Sequence, residues 1–419
     1  MKKGLIIKDA SQIVTVSGFK AKKGEEMNEI GVVENGSILI KNGKIIKVGT
    51  FDEIHREVVL EDYEIIDARG KTITPGFIDP HTHVVFGGYR ADEYTWRLRG
   101  DSYVDIMNRG GGIASSVTKT REASFDELVS SGFDRLKSMV RFGVTTIEGK
   151  SGYGLDFETE MKQLRVMKKL DQMQPIEISR TFLGPHAVMP EYKGREMEFI
   201  KLINEEMLPF VKKENLAEFV DIFTEKNVFE LKESRVYLEK AKELGFKIKM
   251  HADEIYPLGG AELAAEFEAI SADHLLKVSD KGIEMMKEND VIATLLPLTA
   301  FSLKEEYARA RDMIDSGLAV ALATDLNPGS CFSESIPLVI ALATLYMNMT
   351  PEETLAALTL NAAAAIDKAD VIGSIDTGKQ ADLLIHEFDS YHYIAYHFGV
   401  STVEKVIKKG KIIYDKEGC

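Results

Sequence analysis

A chain of 419 residues exceeds one small domain and can hold a barrel of about 250 residues plus an accessory module. Its hydrophobic share of 44% and charged share of 28% are typical of a soluble globular protein. The formal net charge of −15 argues against nucleic acid or an anionic membrane as a partner, because the long-range field repels polyanions.

Cysteines and apolar runs indicate the compartment. Two cysteines, Cys331 and Cys419, are too few for a disulfide framework, as is usual in a reducing cytoplasm. Lys8 and Asp9 interrupt the amino-terminal apolar run before a signal-peptide core could form. The longest apolar stretch, 336–347, is shorter than the roughly 20 residues of a membrane span. We expect a cytoplasmic protein without membrane segments.

Each end of the chain carries a hairpin pattern. Residues 37–48 place Asn42-Gly43 between two strand-like runs, and residues 405–414 repeat the arrangement around Gly410. An isolated hairpin is at best marginally stable in water, so each needs further strands. The pattern predicts a small β-sandwich module built from both termini, residues 1–69 and 371–419. Two unrelated surface hairpins are the alternative.

Between the two ends, strand-like runs alternate with helical patterns, which indicates a parallel α/β architecture. Eight candidate strands favour a TIM-like (β/α)8 barrel over residues 70–370, although periodicity leaves a doubly wound sheet open. Candidate helices are 125–141, 158–169, 234–244 and 352–365. The candidate strands are 77–85, 143–148, 176–183, 219–223, 247–251, 269–274, 291–296 and 320–324.

Five of the nine histidines lie at or just beyond the carboxyl ends of these strands. In a barrel that end is the active-site face. A lone histidine there is more often a hydrogen-bonded structural residue, but fold stability gives no reason for five on one rim. The five residues are His81, His83, His186, His251 and His274.

Four side chains on this rim predict a metal site. His81 and His83 are two positions apart on a strand, so both imidazoles point to one face, about 6.6 Å apart along the strand. His251 and Asp325 each end a later strand, and Pro-Gly soon follows Asp325 where a helix to be capped would otherwise begin. Three imidazoles and one carboxylate, with room for water, are typical of a catalytic site. The ion would lower the pKa of that water toward about 7 and polarise a carbonyl.

Longer motifs surround these residues and carry a family resemblance. PGFIDPHTH at 75–83, HADE at 251–254, SADH at 271–274 and TD at 324–325 together resemble the amidohydrolase superfamily. The chain is more closely similar to the imidazolonepropionase family within it. That narrower likeness is carried by HVVFGGYR at 83–90, NRGGG at 108–112, KSGYG at 150–154, PHA at 185–187, HADEIYPLGG at 251–260, DLNPGS at 325–330 and YHFGV at 396–400.

The resemblance implies one zinc or iron ion on His81, His83, His251 and Asp325. It also implies a reaction of histidine degradation, in which the cyclic amide of 4-imidazolone-5-propanoate is hydrolysed to N-formimidoyl-L-glutamate. Superfamily members with two ions bridge them through a carboxylated lysine. Lys150 is a candidate for that role, but the family match assigns its segment to substrate contact, so one ion is favoured. A homodimer is expected from the resemblance and from the frequency of symmetric assemblies.

Substrate contacts follow from the same resemblance. Arg90 can grip the propanoate through two parallel hydrogen bonds, although a plain surface salt bridge is its alternative. Tyr153 lies in a glycine-rich segment where backbone can approach a ligand closely. His186 could donate to the carboxylate or the ring. Three residues after the metal-binding aspartate could contact the ring or the opened product: Asn327, Gly329 and Ser330.

Proton transfer has three candidates. Glu254 would contact the substrate, take the proton of the attacking water and return one to the leaving nitrogen, although a solvated loop carboxylate is its bland alternative. His274 would stabilise the developing oxyanion together with the metal. Asp325 is the third, and the sequence leaves open which of the three moves each proton.

Two departures from the family pattern, Gly149 and Pro185, concern the shape of the pocket.

The alternative function is a deaminase or cyclic amidase for another heterocycle, which would share the metal set without needing Arg90 and Tyr153. A third interpretation, a binding protein that has lost its metal, predicts erosion of the ligand set, whereas the whole set is present in this sequence.

Overall fold

The computed structural model describes residues 2–101 and 109–418, so Asn108 of the NRGGG motif and Cys419 lie outside the described residues. Described strands fall into two sheets. In chain order they are β1 (Gly4–Val14), β2 (Val32–Lys41), β3 (Lys44–Gly49), β4 (Tyr63–Asp67), β5 (Thr72–Pro75), β6 (Phe77–Thr82), β7 (Val144–Lys150), β8 (Glu177–Phe182), β9 (Phe219–Val220), β10 (Phe223–Thr224), β11 (Lys247–Ala252), β12 (Ser271–His274), β13 (Ile292–Leu295), β14 (Val320–Leu322), β15 (Leu383–His386), β16 (Val403–Lys408) and β17 (Lys411–Asp415).

Helices follow most of the barrel strands, as the alternating pattern predicts. Ser124 and Thr350 each begin a helix through a capping box, with Glu127 and Glu353 as the reciprocal partners. The described α-helices are Phe51–His55, Ala91–Leu98, Ile113–Glu122, Phe125–Arg141, Phe157–Met173, Glu196–Leu202, Leu208–Lys213, Leu231–Glu243, Gly260–Glu266, Asp280–Glu288, Pro297–Leu303, Ala310–Asp315, Ile336–Tyr346, Pro351–Leu358, Leu360–Ala365 and His392–Tyr396. No helix within the described part of the chain is long and apolar enough to cross a membrane.

The larger sheet is a parallel barrel in the order β14-β13-β12-β11-β9-β8-β7-β6, with β10 continuing β9 alongside β11. Two backbone hydrogen bonds close it beyond β14. The amide of Asp325 donates to the carbonyl of His81 at 3.1 Å, and the amide of His83 donates to Leu326 at 2.8 Å. The predicted (β/α)8 barrel is therefore confirmed.

Predicted barrel strands are found at all eight places, with two local differences in the elements. The run at 219–223 is divided into β9 and β10, and Asp221, between them, accepts the backbone amide of His251 in β11. The helix predicted at 352–365 divides at Thr359, whose φ of −124° and ψ of −90° leave helical geometry.

Strands from both termini form the second sheet, in the order β17-β16-β15-β5-β1-β2-β3 with β4 beside β1. The Asn42-Gly43 turn has positive φ at both residues, 54° and 75°, as a two-residue hairpin requires. Its separate apolar core draws on both ends of the chain, for example on Ile13 and Ile407. β5 belongs to this sheet although it follows residue 69, and the exact domain boundaries stay a prediction.

Lys408 ties the terminal sheet to the underside of the barrel. Its buried Nζ donates to Glu177 at 2.7 Å, to Asp382 at 2.7 Å and to the hydroxyl of Thr146 at 3.1 Å. Burial raises the pKa of Glu177, but Lys408 outweighs it and holds that pKa at about 2. The two sheets are therefore joined by a buried ionic contact as well as by the chain.

We expect Lys408→Met to lower the free energy of unfolding by about 3–5 kcal/mol, because it leaves the buried carboxylate of Asp382 without its ammonium partner. Lys409→Met is the matched control. Its ammonium also contacts Glu177, at 2.7 Å, but is 52% exposed, so about 1 kcal/mol or less is expected. Chemical denaturation of both variants at neutral pH gives the comparison, and equal losses would contradict the assignment.

Candidate active site

The four predicted metal ligands meet at the carboxyl rim of the barrel. His81 and His83 leave β6, His251 lies in β11, and Asp325 follows β14. The Nε2 atoms of His81 and His83 lie 3.6 and 3.7 Å from one oxygen of Asp325. Ligand atoms of the three histidines lie within 4.8 Å of one another. Four side chains from three separate parts of the chain therefore converge on one point.

Buried carboxylates orient the imidazoles. Nδ1 of His81 lies 2.6 Å from Asp273, so it carries the proton and leaves Nε2, which has no described hydrogen-bond partner, free to bind a cation. Asp221 accepts the backbone amide of His251 at 3.0 Å and reaches within 2.9 Å of its Nδ1. The hydroxyl of Thr299 donates to Asp325 at 2.6 Å.

The electrostatics fit a bound cation. Burial lowers the pKa values of His81 and His83 well below the usual range, so both are neutral, as metal ligation requires. Burial also opposes charge on His251, but Asp221 outweighs it and raises that pKa. Neutral imidazole nitrogens and a carboxylate are donors that divalent transition metals prefer. The set fits one such ion.

The surroundings of Lys150 favour an ammonium group over a carboxylated bridge. Lys150 is fully buried, and its Nζ lies 2.8 Å from Glu148, 2.8 Å from Asp221 and 3.4 Å from Asp273. Burial alone would lower the pKa of Lys150, but these three carboxylates raise it above its ordinary value. A protonated ammonium has no lone pair with which to add carbon dioxide, so these contacts disfavour carboxylation.

His274 and Glu254 flank the ligand set. The His274 ring centroid lies 5.0 Å from that of His251, and its Nδ1 lies 3.5 Å from a carboxylate oxygen of Glu254. His274 has a φ of 76°, a costly left-handed conformation for a non-glycine residue. Burial, reinforced by the nearby Asp325, raises the pKa of Glu254 to about 8. A carboxyl group of that pKa can exchange protons near neutral pH.

Tyr153 and His186 form the wall beside His83. His186 stacks on His83 with centroids 5.0 Å apart, and Tyr153 meets both rings edge-on at 5.4 and 5.2 Å. The Nδ1 of His186 bonds the carbonyl of Gly152 at 2.9 Å, which directs Nε2 away from that loop. Burial lowers the pKa of His186 to about 3, so its ring is neutral.

Two residues missed by sequence reasoning hold the Tyr153 loop. Glu160 accepts backbone amides of Gly152, Gly154 and Leu155 at 2.8–3.2 Å. Gln163 accepts the amide of Tyr153 at 3.2 Å. Both lie on one face of the following helix, at a spacing of three, and their polarity there was the only available signal. Glu160 therefore acts as a scaffold for this wall.

The guanidinium of Arg90 occupies space that is open because residue 329 is a glycine. A Cβ at Gly329 would lie 1.5 Å from Nη2 of Arg90, so any side chain there displaces the guanidinium. Nε of Arg90 is buried without a hydrogen-bond partner among the described residues. Arg90, Gly329, Ser330 and Glu254 line one cavity of about 430 Å³. Nη1 of Arg90 lies 4.0 Å from Glu93, so a cation with one unpaired donor among the described residues shares a cavity with the Glu254 carboxyl.

The side chain of Asn327 forms hydrogen bonds within its own loop. Its oxygen accepts the amides of Gly329 and Ser330 at 2.8 and 2.9 Å, and its nitrogen donates to the carbonyl of Asp325 at 2.8 Å. It shapes the backbone between the metal ligand and the cavity, and its direct contact with substrate stays a prediction.

The two departures from the family pattern differ in position. A Cβ at Gly149 would meet Met167 at 2.6 Å and Ile178 at 3.2 Å, so this glycine faces the barrel wall and not the cavity. Pro185 is buried in a short turn next to His186. Of the two, Pro185 is the one beside the site.

The fold and these donors define a metal-dependent hydrolase of the amidohydrolase class. The model of the Amidohydrolase family matches residues 72–413. The imidazolonepropionase of Clostridium tetani is 58% identical over 417 residues, covering 99% of this chain and all of that protein. That of Parabacteroides distasonis is 53% identical, covering 97% and 98%. The chain belongs to the amidohydrolase family and groups with its imidazolonepropionases.

Solved structures share the fold at low identity. E. coli guanine deaminase superposes with a TM-score of 0.72 at 14% identity, with 98% of each chain covered. A mutant atrazine chlorohydrolase from Arthrobacter aurescens, complexed with zinc and atraton, gives 0.69 at 14% identity, covering 99% of this chain and 96% of that one. At such identities the likeness concerns architecture alone.

We expect Glu160→Gln to lower the free energy of unfolding by about 1–3 kcal/mol, because an amide NH2 would face a backbone amide that now donates to the carboxylate. The exposed Glu158→Gln, on the same helix, is the control and should change it little. Hydrogen exchange should quicken at residues 152–155 in the first variant only. Unchanged exchange there would refute the scaffold role.

Proposed function

We propose that the protein hydrolyses the cyclic amide of 4-imidazolone-5-propanoate to N-formimidoyl-L-glutamate. The observation that carries this proposal is the sharing of one cavity by Arg90 and Glu254. Glu254 lies 3.5 Å from His274, whose ring centroid is 5.0 Å from that of the proposed ligand His251. Arg90 suits the anionic tail of this substrate, and Glu254 with the proposed metal donors suits its lactam ring. The names of the relatives at 58% and 53% identity agree with it.

His81, His83, His251 and Asp325 would hold the single metal ion, either zinc or iron. When bound, a divalent metal polarises a carbonyl and acidifies water. The hydrogen bond from His81 to Asp273 and the contact of Asp221 with His251 fix the direction of two of its ligands. The preference between zinc and iron is open to measurement, because both suit three nitrogens and one oxygen.

Substrate binding follows from the charge and shape of the cavity. Arg90 would take the propanoate through two parallel hydrogen bonds, since its Nε is desolvated and unpaired. Tyr153 and His186 would donate to the ring or the carboxylate from the wall beside His83. Ser330 and the backbone at Gly329 would contact the ring or the opened product, with Asn327 holding that loop in shape.

Ring opening adds the oxygen of water to the lactam carbon and breaks the bond to the ring nitrogen. Glu254 would take a proton from the water and return one to the departing nitrogen, for which a pKa of about 8 is suitable. His274, between Glu254 and His251, would donate to the developing oxyanion. Asp325, which accepts a hydrogen bond from Thr299, is a further proton acceptor at the same point.

The direct test supplies freshly prepared 4-imidazolone-5-propanoate and follows the loss of ring absorbance with and without a chelator. We expect chelator-sensitive turnover and formation of N-formimidoyl-L-glutamate. A purine and a hydantoin are the comparison substrates. Activity on either one, with no turnover of the imidazolone, would favour the alternative of a deaminase or cyclic amidase for another heterocycle.

We expect His251→Ala and Asp325→Ala to lose the metal and the activity together, with turnover reduced by at least about 10³-fold, because each removes a ligand from a four-donor set. Metal content per chain and turnover should be measured on the same preparations. Full metal content in both variants would place the ion elsewhere.

Arg90→Ala should chiefly raise KM, by about 10–100-fold, since a lost charge-assisted contact is worth about 1.5–3 kcal/mol. Gly329→Ala should do the same with Arg90 intact, because its methyl group occupies the place of the guanidinium. Steady-state kinetics of both variants is the measurement. A dead enzyme with an unchanged KM would contradict the role of Arg90.

The assembly and the compartment are proposed on other grounds. A homodimer is proposed because closed two-fold dimers are the commonest soluble oligomers. A cytoplasmic location is proposed because the pair of cysteines cannot form a disulfide framework. Light scattering of the purified protein tests the first proposal, and cell fractionation tests the second.

A further inference from the structure

Five charged side chains lie buried directly behind the metal-binding imidazoles, each with no solvent exposure. They are three carboxylates and two ammonium groups, so the group carries one excess negative charge when all are ionised. This buried charge cluster plays no part in substrate contact or proton transfer as proposed above. Its members are Glu148, Lys150, Asp221, Lys249 and Asp273.

Lys150 is the centre of the cluster. It contacts Glu148 and Asp221 at 2.8 Å and Asp273 at 3.4 Å. Lys249 contacts Glu148 at 3.4 Å and bonds two backbone carbonyls at 3.0 and 3.3 Å. Its ion pair with Glu148 is the sole one within 4 Å among the described residues. The two lysines therefore differ in reach, because only Lys150 touches carboxylates that contact imidazoles.

Two members of the cluster belong to a second potential metal site. His81, Glu148 and Asp273 place their ligand atoms within 4.8 Å of one another, close enough to share a cation. Lys150 lies against both of those carboxylates. The ammonium group therefore supplies positive charge at a place where a second ion would otherwise be stabilised.

We propose that Lys150 is a positioning residue that takes the place of a second metal ion and holds Asp221 and Asp273 against the imidazoles of His251 and His81. The inference rests on the proposed metal set but not on the proposed substrate. Without Lys150, Asp221 and Asp273 lose the ammonium group that contacts both of them, and their like charges repel. Both carboxylates would then turn away from the imidazoles that they now orient.

The experiment compares Lys150→Met with Lys249→Met. Each variant removes one fully buried ammonium group, so each costs folding stability, but only the first frees Asp221 and Asp273. Zinc is the probe, added to the purified full-length protein, with its affinity measured by chelator competition and its stoichiometry by elemental analysis. We expect Lys150→Met to weaken zinc binding by about 10–100-fold and Lys249→Met to weaken it several-fold less.

A double variant separates positioning from simple charge neutralisation. Lys150→Met with Glu148→Gln removes one positive and one negative charge but keeps Asp221 and Asp273, so it should recover thermal stability relative to Lys150→Met alone. If Lys150 only neutralised buried charge, zinc affinity would recover as well. We expect it to stay weak, because Asp221 and Asp273 still lack the ammonium group that holds them against His251 and His81. The double variant also decides the matter if Lys150→Met alone fails to fold.

The wild-type protein should bind one zinc ion per chain, and two would overturn the inference. Wild-type affinity in Lys150→Met, or its recovery in the double variant, would also overturn it. Each of these results leaves the proposed function standing, provided that His251→Ala abolishes binding. Zinc binding that survives His251→Ala would instead refute the metal set itself.

Discussion

Closure of the barrel is the constraint on which the site depends. The amide of Asp325 bonds the carbonyl of His81, and the amide of His83 bonds that of Leu326, across the seam between the first and last strands. These bonds bring ligands more than 240 positions apart in the chain to within 3.7 Å of one another. The same backbone contact that completes the sheet therefore also brings the proposed metal ligands together, so we expect stability and activity to depend on one seam.

Behind that seam, the interior of the barrel is charged where a packed barrel core is usually branched and apolar. Carboxylates such as Asp273 fix the imidazoles, and Lys150 in turn fixes the carboxylates. Such an arrangement is costly, because buried ions must recover their lost hydration from one another. The proposed metal binding explains why this loss of hydration is tolerated, because a ligand set that is already oriented needs little rearrangement when it binds a cation.

The sequence predicted which side chains converge on the rim, but it did not predict the residues that hold them in place. His81, His83, His251 and Asp325 stood at strand ends, and strand ends in a barrel meet on one rim. Asp221 and Glu160 carried no comparable signal, because their roles depend on which side chains the fold places opposite them. The loop hydrogen bonds of Asn327 were equally invisible in the sequence, and the substrate contact that its motif predicts stays a prediction.

The most direct test of the account is an anomalous difference map from crystals of the zinc-loaded protein, recorded at the zinc edge. The account predicts one peak per chain, within bonding distance of His81, His83, His251 and Asp325, with Lys150 still between Glu148 and Asp221. A second peak among His81, Glu148 and Asp273, or no peak at the rim, would contradict it.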